Sequence, residues 1–510
     1  MNRQDDGTVR QIRGSALLLA GTVVGRIVNG ATQILLARAL TKTEYGAFAY
    51  GLAFAAVAEV FATLGLTQAV SRYVPLYEER KEYGKALGTI VFVFGTIVSL
   101  GLLVVVAVSV FAGSIERLLV HDRQTVATLA ILVALVPIEA TNRVSEGVLA
   151  VVGRPGMIFV RKNVLTPVLR LVVVGVLVSQ GSSTRSVAVG YVAIGVLGIL
   201  AYGGLVPRAV QMHGFPLREA WHRLEVPVRE ITTFVAPLLV WVVVWVVIDA
   251  GDALVLGRYG GAAEVAALRA VQPLAMLMQA ILYSFTLLFT TLAARLYARE
   301  DHAGLNDAYW RTATWISLLT LPILIVEVIF GEQLTTTLYG RRYADSASVL
   351  AILAIAYFVQ ASMSLNGQVL AVYRRVRYIL VVNVVTLGAC AFLLFTLVPA
   401  LGAEGAALAK VGAMIIHSVL MHIGLRAGTG VRLFETRFAR LYVAMGALVA
   451  VLWLFQRALH PTLVVALLVT GAMWLALVAA SRRALAIGHV FPELRKVPLA
   501  RYLVDEWDEV

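Results

Sequence analysis

Four arginines, Arg26, Arg143, Arg170 and Arg269, stand inside stretches otherwise apolar enough to cross a bilayer. A charge at mid-bilayer costs about 3 kcal/mol or more, so such residues face a bundle interior or a water-filled cavity. The guanidinium fork grips two phosphate oxygens at once, so this set suits the holding of an anion rather than bond-making. Arg26 is the best placed. It sits near the middle of its stretch, and Thr22, Arg26, Asn29 and Gln33 are spaced four, three and four, which draws one polar stripe down a helix. The plainer reading of that stripe is an interhelical hydrogen-bond network.

Acidic groups accompany the arginines. Glu139, Arg143 and Glu146 are spaced i, i+4, i+7, so they share a helical face, and Glu139 and Arg143 can pair along it. Glu59 and Arg170 are each deep enough to require a partner or water. Glu59, Glu139 and Asp252 are candidates for coupling to a proton or sodium gradient. Arg269, on a stripe with Gln272, Met276, Gln279 and Tyr283, lies near a span end where it can also snorkel. Asp249 and Asp252, near the outer end of the seventh span, are candidate partners for it. Glu327 and Lys410 read as interfacial, and His417 and His422 as hydrogen-bonded core. No Cys/His cluster has metal-site spacing, and no cofactor is expected. The single cysteine, Cys390, excludes an intrachain disulfide.

The elements that must position these residues follow from composition. Of the 510 residues, 60% are hydrophobic and only 14% charged, with mean hydropathy +0.84. A soluble fold could not cover its surface with so little charge. Period-2 alternation, the mark of a membrane barrel, is absent. The pattern predicts an all-α polytopic membrane protein with about fourteen spans: 14–36, 46–68, 87–112, 126–151, 158–179, 187–209, 231–256, 266–292, 311–330, 347–371, 377–399, 404–424, 438–457 and 462–480. The polar N-terminus runs straight into a full span, so no cleaved signal peptide is expected. With the N-terminus inside, 29 Lys and Arg fall in cytoplasmic segments and nine in outer loops. That bias predicts both termini in the cytoplasm. It also explains the net charge of +13, scattered over short loops, without nucleic acid. No Gly-rich phosphate loop precedes a Lys-Ser/Thr, so the chain is not expected to be an ATPase.

The sequence repeats itself. Leu129-Ala-Ile-Leu132 returns as Leu350-Ala-Ile-Leu353, and Val148-Leu-Ala-Val151 as Val369-Leu-Ala-Val372, both 221 residues on. Arg38, Glu44, Leu76-Tyr77 and Gly84 return 220 residues on as Arg258, Glu264, Leu296-Tyr297 and Gly304. Spans 1–6 and 7–12 are therefore two copies of one six-helix unit. Six is even, so the copies are parallel, and two C-terminal helices lie outside the repeat. The division expected is 1–215, 216–430 and 431–510. Only the first copy carries the charged stripe. Gln360, Ser364 and Gly367 replace Glu139, Arg143 and Glu146 in the second. Pro137, Pro167, Pro237, Pro273 and Pro322 predict kinks.

Two six-span halves plus two helices resemble the multidrug/oligosaccharidyl-lipid/polysaccharide exporter superfamily. The first span with Arg38-Ala-Leu-Thr-Lys-Thr-Glu-Tyr-Gly46, Leu64-Gly-Leu66 ahead of Arg72, Leu338-Tyr-Gly-Arg-Arg-Tyr343 and Gly402-Ala-Glu-Gly-Ala-Ala407 resemble its polysaccharide transporter branch of O-antigen and oligosaccharide-lipid flippases. The resemblance implies a non-enzymatic flippase of the cytoplasmic membrane that carries a lipid-linked glycan by alternating access. It also implies basic residues in a central cavity. Expected partners are the glycan lipid, membrane lipids, and glycosyltransferases or a polymerase of the same pathway. On the residues themselves the anion-holding set is Arg26, Asn29, Gln33, Arg143, Arg170 and Arg269. A multidrug or metabolite antiporter of the same superfamily predicts a cavity dominated by acidic residues. A membrane glycosyltransferase or polymerase predicts a large outer loop, whereas the longest here are about 113–125 and 331–346.

Overall fold

The computed structural model describes residues 24–117, 122–153, 155–429, 431–432 and 434–481. The first ten residues of the first predicted span, with Thr22 of its polar stripe, lie outside them. No strand occurs among the described residues. Eleven of the described helices are long and apolar enough to cross a membrane. One of these, Val376–Thr429, is two helices parted at Gly402, whose φ of 55° and ψ of −129° no helix allows. Val228–Tyr259, uncharged from Ile231 to Ile248, and a helix over 24–39 complete the predicted order of fourteen.

We label them α1 (24–39), α2 (Lys42–Glu79), α3 (Tyr83–Val110), α4 (Arg123–Val151), α5 (Gly156–Ser179), α6 (Thr184–His213), α7 (Val228–Tyr259), α8 (Gly261–Ala298), α9 (His302–Ile329), α10 (Ser346–Val372), α11 (376–401), α12 (403–429), α13 (Thr436–Leu459) and α14 (Leu463–Ala480). Several are bent for reasons the sequence carries. In α4, Pro137 lacks the N–H that the Val133 carbonyl would accept. The helix pauses at 133–134, and that carbonyl takes the Val136 N–H at 2.9 Å instead. In α8 the helix pauses at Met276, just after Pro273.

The repeat is visible in the connectors. Lys81 and Glu300 turn the chain between α2–α3 and α8–α9 with φ of 58° and 55°. Gly153 and Arg374 do so between α4–α5 and α10–α11, at 69° and 56°. Gly181 and Gly402 do so between α5–α6 and α11–α12, at 65° and 55°. These left-handed positions recur 219, 221 and 221 residues apart, which is the spacing of the sequence repeat.

The chain forms two compact units. The first comprises residues 1–270 and 394–406, the second 271–393 and 407–510. In the first, α2 packs against α4 and α7, and α6 against α4 and α5. Gly46 on α2 meets α8 so closely that a Cβ there would stand 1.7 Å from the Ala262 carbonyl oxygen, the small-residue contact that lets membrane helices approach. In the second, α9 packs against α10, α13 and α14. Trp315, Leu318, Leu321 and Ile325 join Leu441, Met445, Leu448 and Ala466 in one buried cluster, and the Trp474 indole donates to the Leu318 carbonyl at 2.8 Å. Apolar side chains on α3 and α14, including Leu103, Val110, Val464 and Leu468, are exposed, as a lipid-facing surface requires.

Candidate functional site

The first unit contains two adjoining cavities of about 400 and 440 Å³ that share Asn29, Glu139 and Arg170. Five helices build them. From α1 come Arg26, Asn29 and Gln33; from α2, Glu59; from α4, Glu139, Arg143 and Glu146; from α5, Arg161, Lys162, Asn163 and Arg170; and from α6, Tyr191. Every charged residue expected on the first copy's helices therefore lines this space. Gln33 accepts the Tyr45 hydroxyl hydrogen at 2.7 Å, which fixes the C-terminal end of the α1 stripe.

The charges pair between helices. Arg143 clasps Glu59 fork to fork, with Nε 2.5 Å from Oε1 and Nη2 donating to Oε2 at 3.1 Å. Arg170 reaches Glu139 at 2.7 Å and lies over the Tyr191 ring at 5.2 Å. Glu146 gathers three partners: Lys162 at 2.6 Å, Arg161 at 3.7 Å and the Tyr202 hydroxyl at 3.2 Å. The expected pairing of Glu139 with Arg143 along α4 gives way to pairs across helices. An intrahelical pair would leave buried Glu59 and half-buried Arg170 without counter-charges, which costs more than the local contact returns. The cavity is wet. The Arg143 side chain is 62% exposed although Glu59 beneath it is only 10% exposed.

Arg161, Lys162 and Asn163 escaped the sequence reading, which placed both cations at the cytoplasmic edge of the fifth span and counted them as orientation signals. They reach the cavity because Phe159–Leu165 is a π-helical turn, with Pro167 just beyond it. The wider turn holds one more residue than an α turn and re-aims the side chains on it, a device common at functional sites. Arg161 is buried, its guanidinium 4.1 Å over the Tyr202 ring. It fills the space opposite Gly198 of α6, where a Cβ would come within 1.8 Å of its Nη2.

Arg269 and Asp252 are placed elsewhere. They form their own 2.7 Å pair, with the Asp249 and Ala250 carbonyls also accepting from Arg269, and neither lines the two cavities. The second unit is neutral where the first is charged. Gln279 and Gln360 occupy the repeat positions of Glu59 and Glu139, and the Gln279 amide donates to Gln360 at 3.1 Å. Among the described residues no His/Cys/Asp/Glu group is arranged to hold a metal.

Counting lining side chains, five cations face three carboxylates, a formal surplus of two positive charges. A helical membrane bundle built from a duplicated unit, with an open and net-cationic cavity, suits a membrane transporter, and the family models that match the chain belong to the multidrug/oligosaccharidyl-lipid/polysaccharide exporter superfamily. The family model described as polysaccharide biosynthesis protein matches residues 12–293, and the chain belongs to that family. The MatE model matches residues 237–397. The fold is similar to a lipid II flippase, MurJ, in an inward closed conformation: TM-score 0.73 at 14% identity, covering 92% of this chain and 100% of that one. It is also similar to an inward-facing multidrug resistance MATE transporter, with TM-score 0.64 at 15% identity over 80% of this chain and 94% of that one. A third likeness is the MATE multidrug transporter DinF-BH, with TM-score 0.58 at 15% identity over 82% of this chain and 96% of that one. Among curated protein sequences none matches.

Proposed function

We propose that this protein flips a lipid-linked oligosaccharide across the cytoplasmic membrane, holding its phosphate or diphosphate head group in the first unit while the two six-helix copies alternate access. The observation that carries this reading is the surplus of two positive charges in a wet cavity lined by Arg26, Arg143, Arg161, Lys162 and Arg170. An anion entering it finds guanidinium forks suited to phosphate oxygens, and Asn29, Gln33 and Asn163 offer amides to a sugar. Membership of a polysaccharide biosynthesis family and the likeness to a lipid II flippase support the same reading. Both termini lie in the cytoplasm, and the enzymes that load the carrier with glycan or polymerise its product are the natural partners. Energy comes from an ion gradient, with Glu59 and Glu139 as the acidic groups in reach, or from consumption of the product outside. Arg269 and Asp252 serve the bundle through their own pair.

Deleting the gene and extracting the lipids tests this reading. Glycan-loaded carrier accumulates on the cytoplasmic face and surface glycan falls. Normal surface glycan with heightened sensitivity to cationic drugs would favour the antiporter that the MatE match keeps in view. The cation excess in the cavity argues against that outcome, because a site for cationic drugs needs an acidic one.

A further inference from the structure

The three cavity glutamates occupy the places an anionic substrate needs. Glu59 holds the Arg143 fork by both oxygens, Glu139 holds Arg170, and Glu146 holds Lys162. The helix positions themselves do not demand charge once the cations are absent too, since Ser364 stands at the repeat position of Arg143. At the repeat positions of Glu59 and Glu139 the second unit sets Gln279 and Gln360 in an ordinary amide hydrogen bond. Neutral amides thus satisfy the same two helix positions. Nor are the cations sealed off, since the Arg143 side chain is 62% exposed and that of Lys162 53%.

We propose that Glu59, Glu139 and Glu146 act as internal counter-ions which a diphosphate head group displaces on binding and which expel it on release; this rests on the proposed function. Ion pairs keep the cavity's cations ordered. An incoming diphosphate exchanges places with the carboxylates, which turn to the cavity water. On the far side the carboxylates reclaim their arginines and lower the affinity for the product. The glutamates therefore weaken ground-state binding and quicken turnover, a pattern that only interactions competing with the substrate produce.

The test uses full-length protein in nanodiscs with farnesyl diphosphate as probe. Glu59→Gln and Glu139→Gln are each expected to bind it up to about fivefold tighter than wild type, the scale of one partly screened ion pair. Each is also expected to flip a fluorescent farnesyl diphosphate more slowly, with a melting temperature lowered no further than the loss of one solvated ion pair accounts for. A merely structural role would lower the melting temperature further and weaken binding. On the wild type, difference infrared spectroscopy reads the exchange without any substitution, as a shift of the carboxylate stretching bands when the probe binds. Unchanged or weaker binding by both variants, or unshifted carboxylate bands in probe-saturated wild type, overturns the exchange while leaving the flippase reading standing. No binding of the probe to wild type or variants overturns the flippase reading and the exchange with it.

Discussion

Single residues here differ in what they leave behind when removed. Arg143→Ala strands Glu59, whose side chain is 10% exposed, whereas Glu59→Ala strands an Arg143 whose side chain is 62% exposed. The first should lower stability by about 3 kcal/mol, the lower end of the cost of leaving a buried charge unpaired. The second should cost about 1 kcal/mol, as for a solvated pair. Equal melting-temperature losses in detergent for the two variants would contradict that asymmetry. Arg26 is exposed on the cavity wall, so Arg26→Ala should abolish transport without loss of folded protein. Arg26→Lys should retain part of the activity, because charge survives and the fork does not. Full transport by Arg26→Ala at normal expression would remove it from the site. Much of this scale was legible in the sequence. A deep Arg or Glu announces a cavity or a partner, and Arg26, Glu59, Glu139, Arg143 and Arg170 all line the space. Their partners were not legible, because pairing between α2 and α4 or α4 and α5 depends on how the helices are turned.

At the scale of an element, the π turn of α5 decides which side chains the fifth span shows to the cavity. Deleting Val160, an exposed apolar residue of that turn, should relax it to α-helix and swing Arg161 and Lys162 away from Glu146. Transport should be lost and the melting temperature should fall, since buried Arg161 loses both Glu146 and Tyr202. Val160→Ala, which keeps the turn, is the control and should transport normally. A functional deletion variant would show that the turn is incidental. Gly198→Val tests the same slot from α6, as its side chain would overlap the Arg161 guanidinium and displace it. Nothing in Phe159-Val-Arg-Lys-Asn-Val-Leu165 announces a π turn. The Lys and Arg count absorbed its two cations because charges near span ends usually set topology.

The whole molecule was the most legible. Hydropathy alone gave the fourteen helices in order, because lipid permits a spanning helix little else than a long apolar run. The repeat in apolar tetrapeptides has its structural counterpart in the left-handed connectors at Lys81 and Glu300, Gly153 and Arg374, and Gly181 and Gly402. Orientation rests on the asymmetry of Lys and Arg. In a Cys390→Ala background, single cysteines at 180–186 should react with a membrane-impermeant label from outside, and those at 213–225 should not. The reverse pattern would invert the topology.

The dimensions of the charged space set what the protein can know about its cargo. Cavities of about 400 and 440 Å³ fall in the range that encloses a drug-sized molecule, not a long sugar chain. On the reading proposed above, the protein recognises the handle and leaves most of the glycan unread. A cell could then redesign its coat, adding or exchanging distal sugars under pressure from phages or host immunity, without redesigning the carrier.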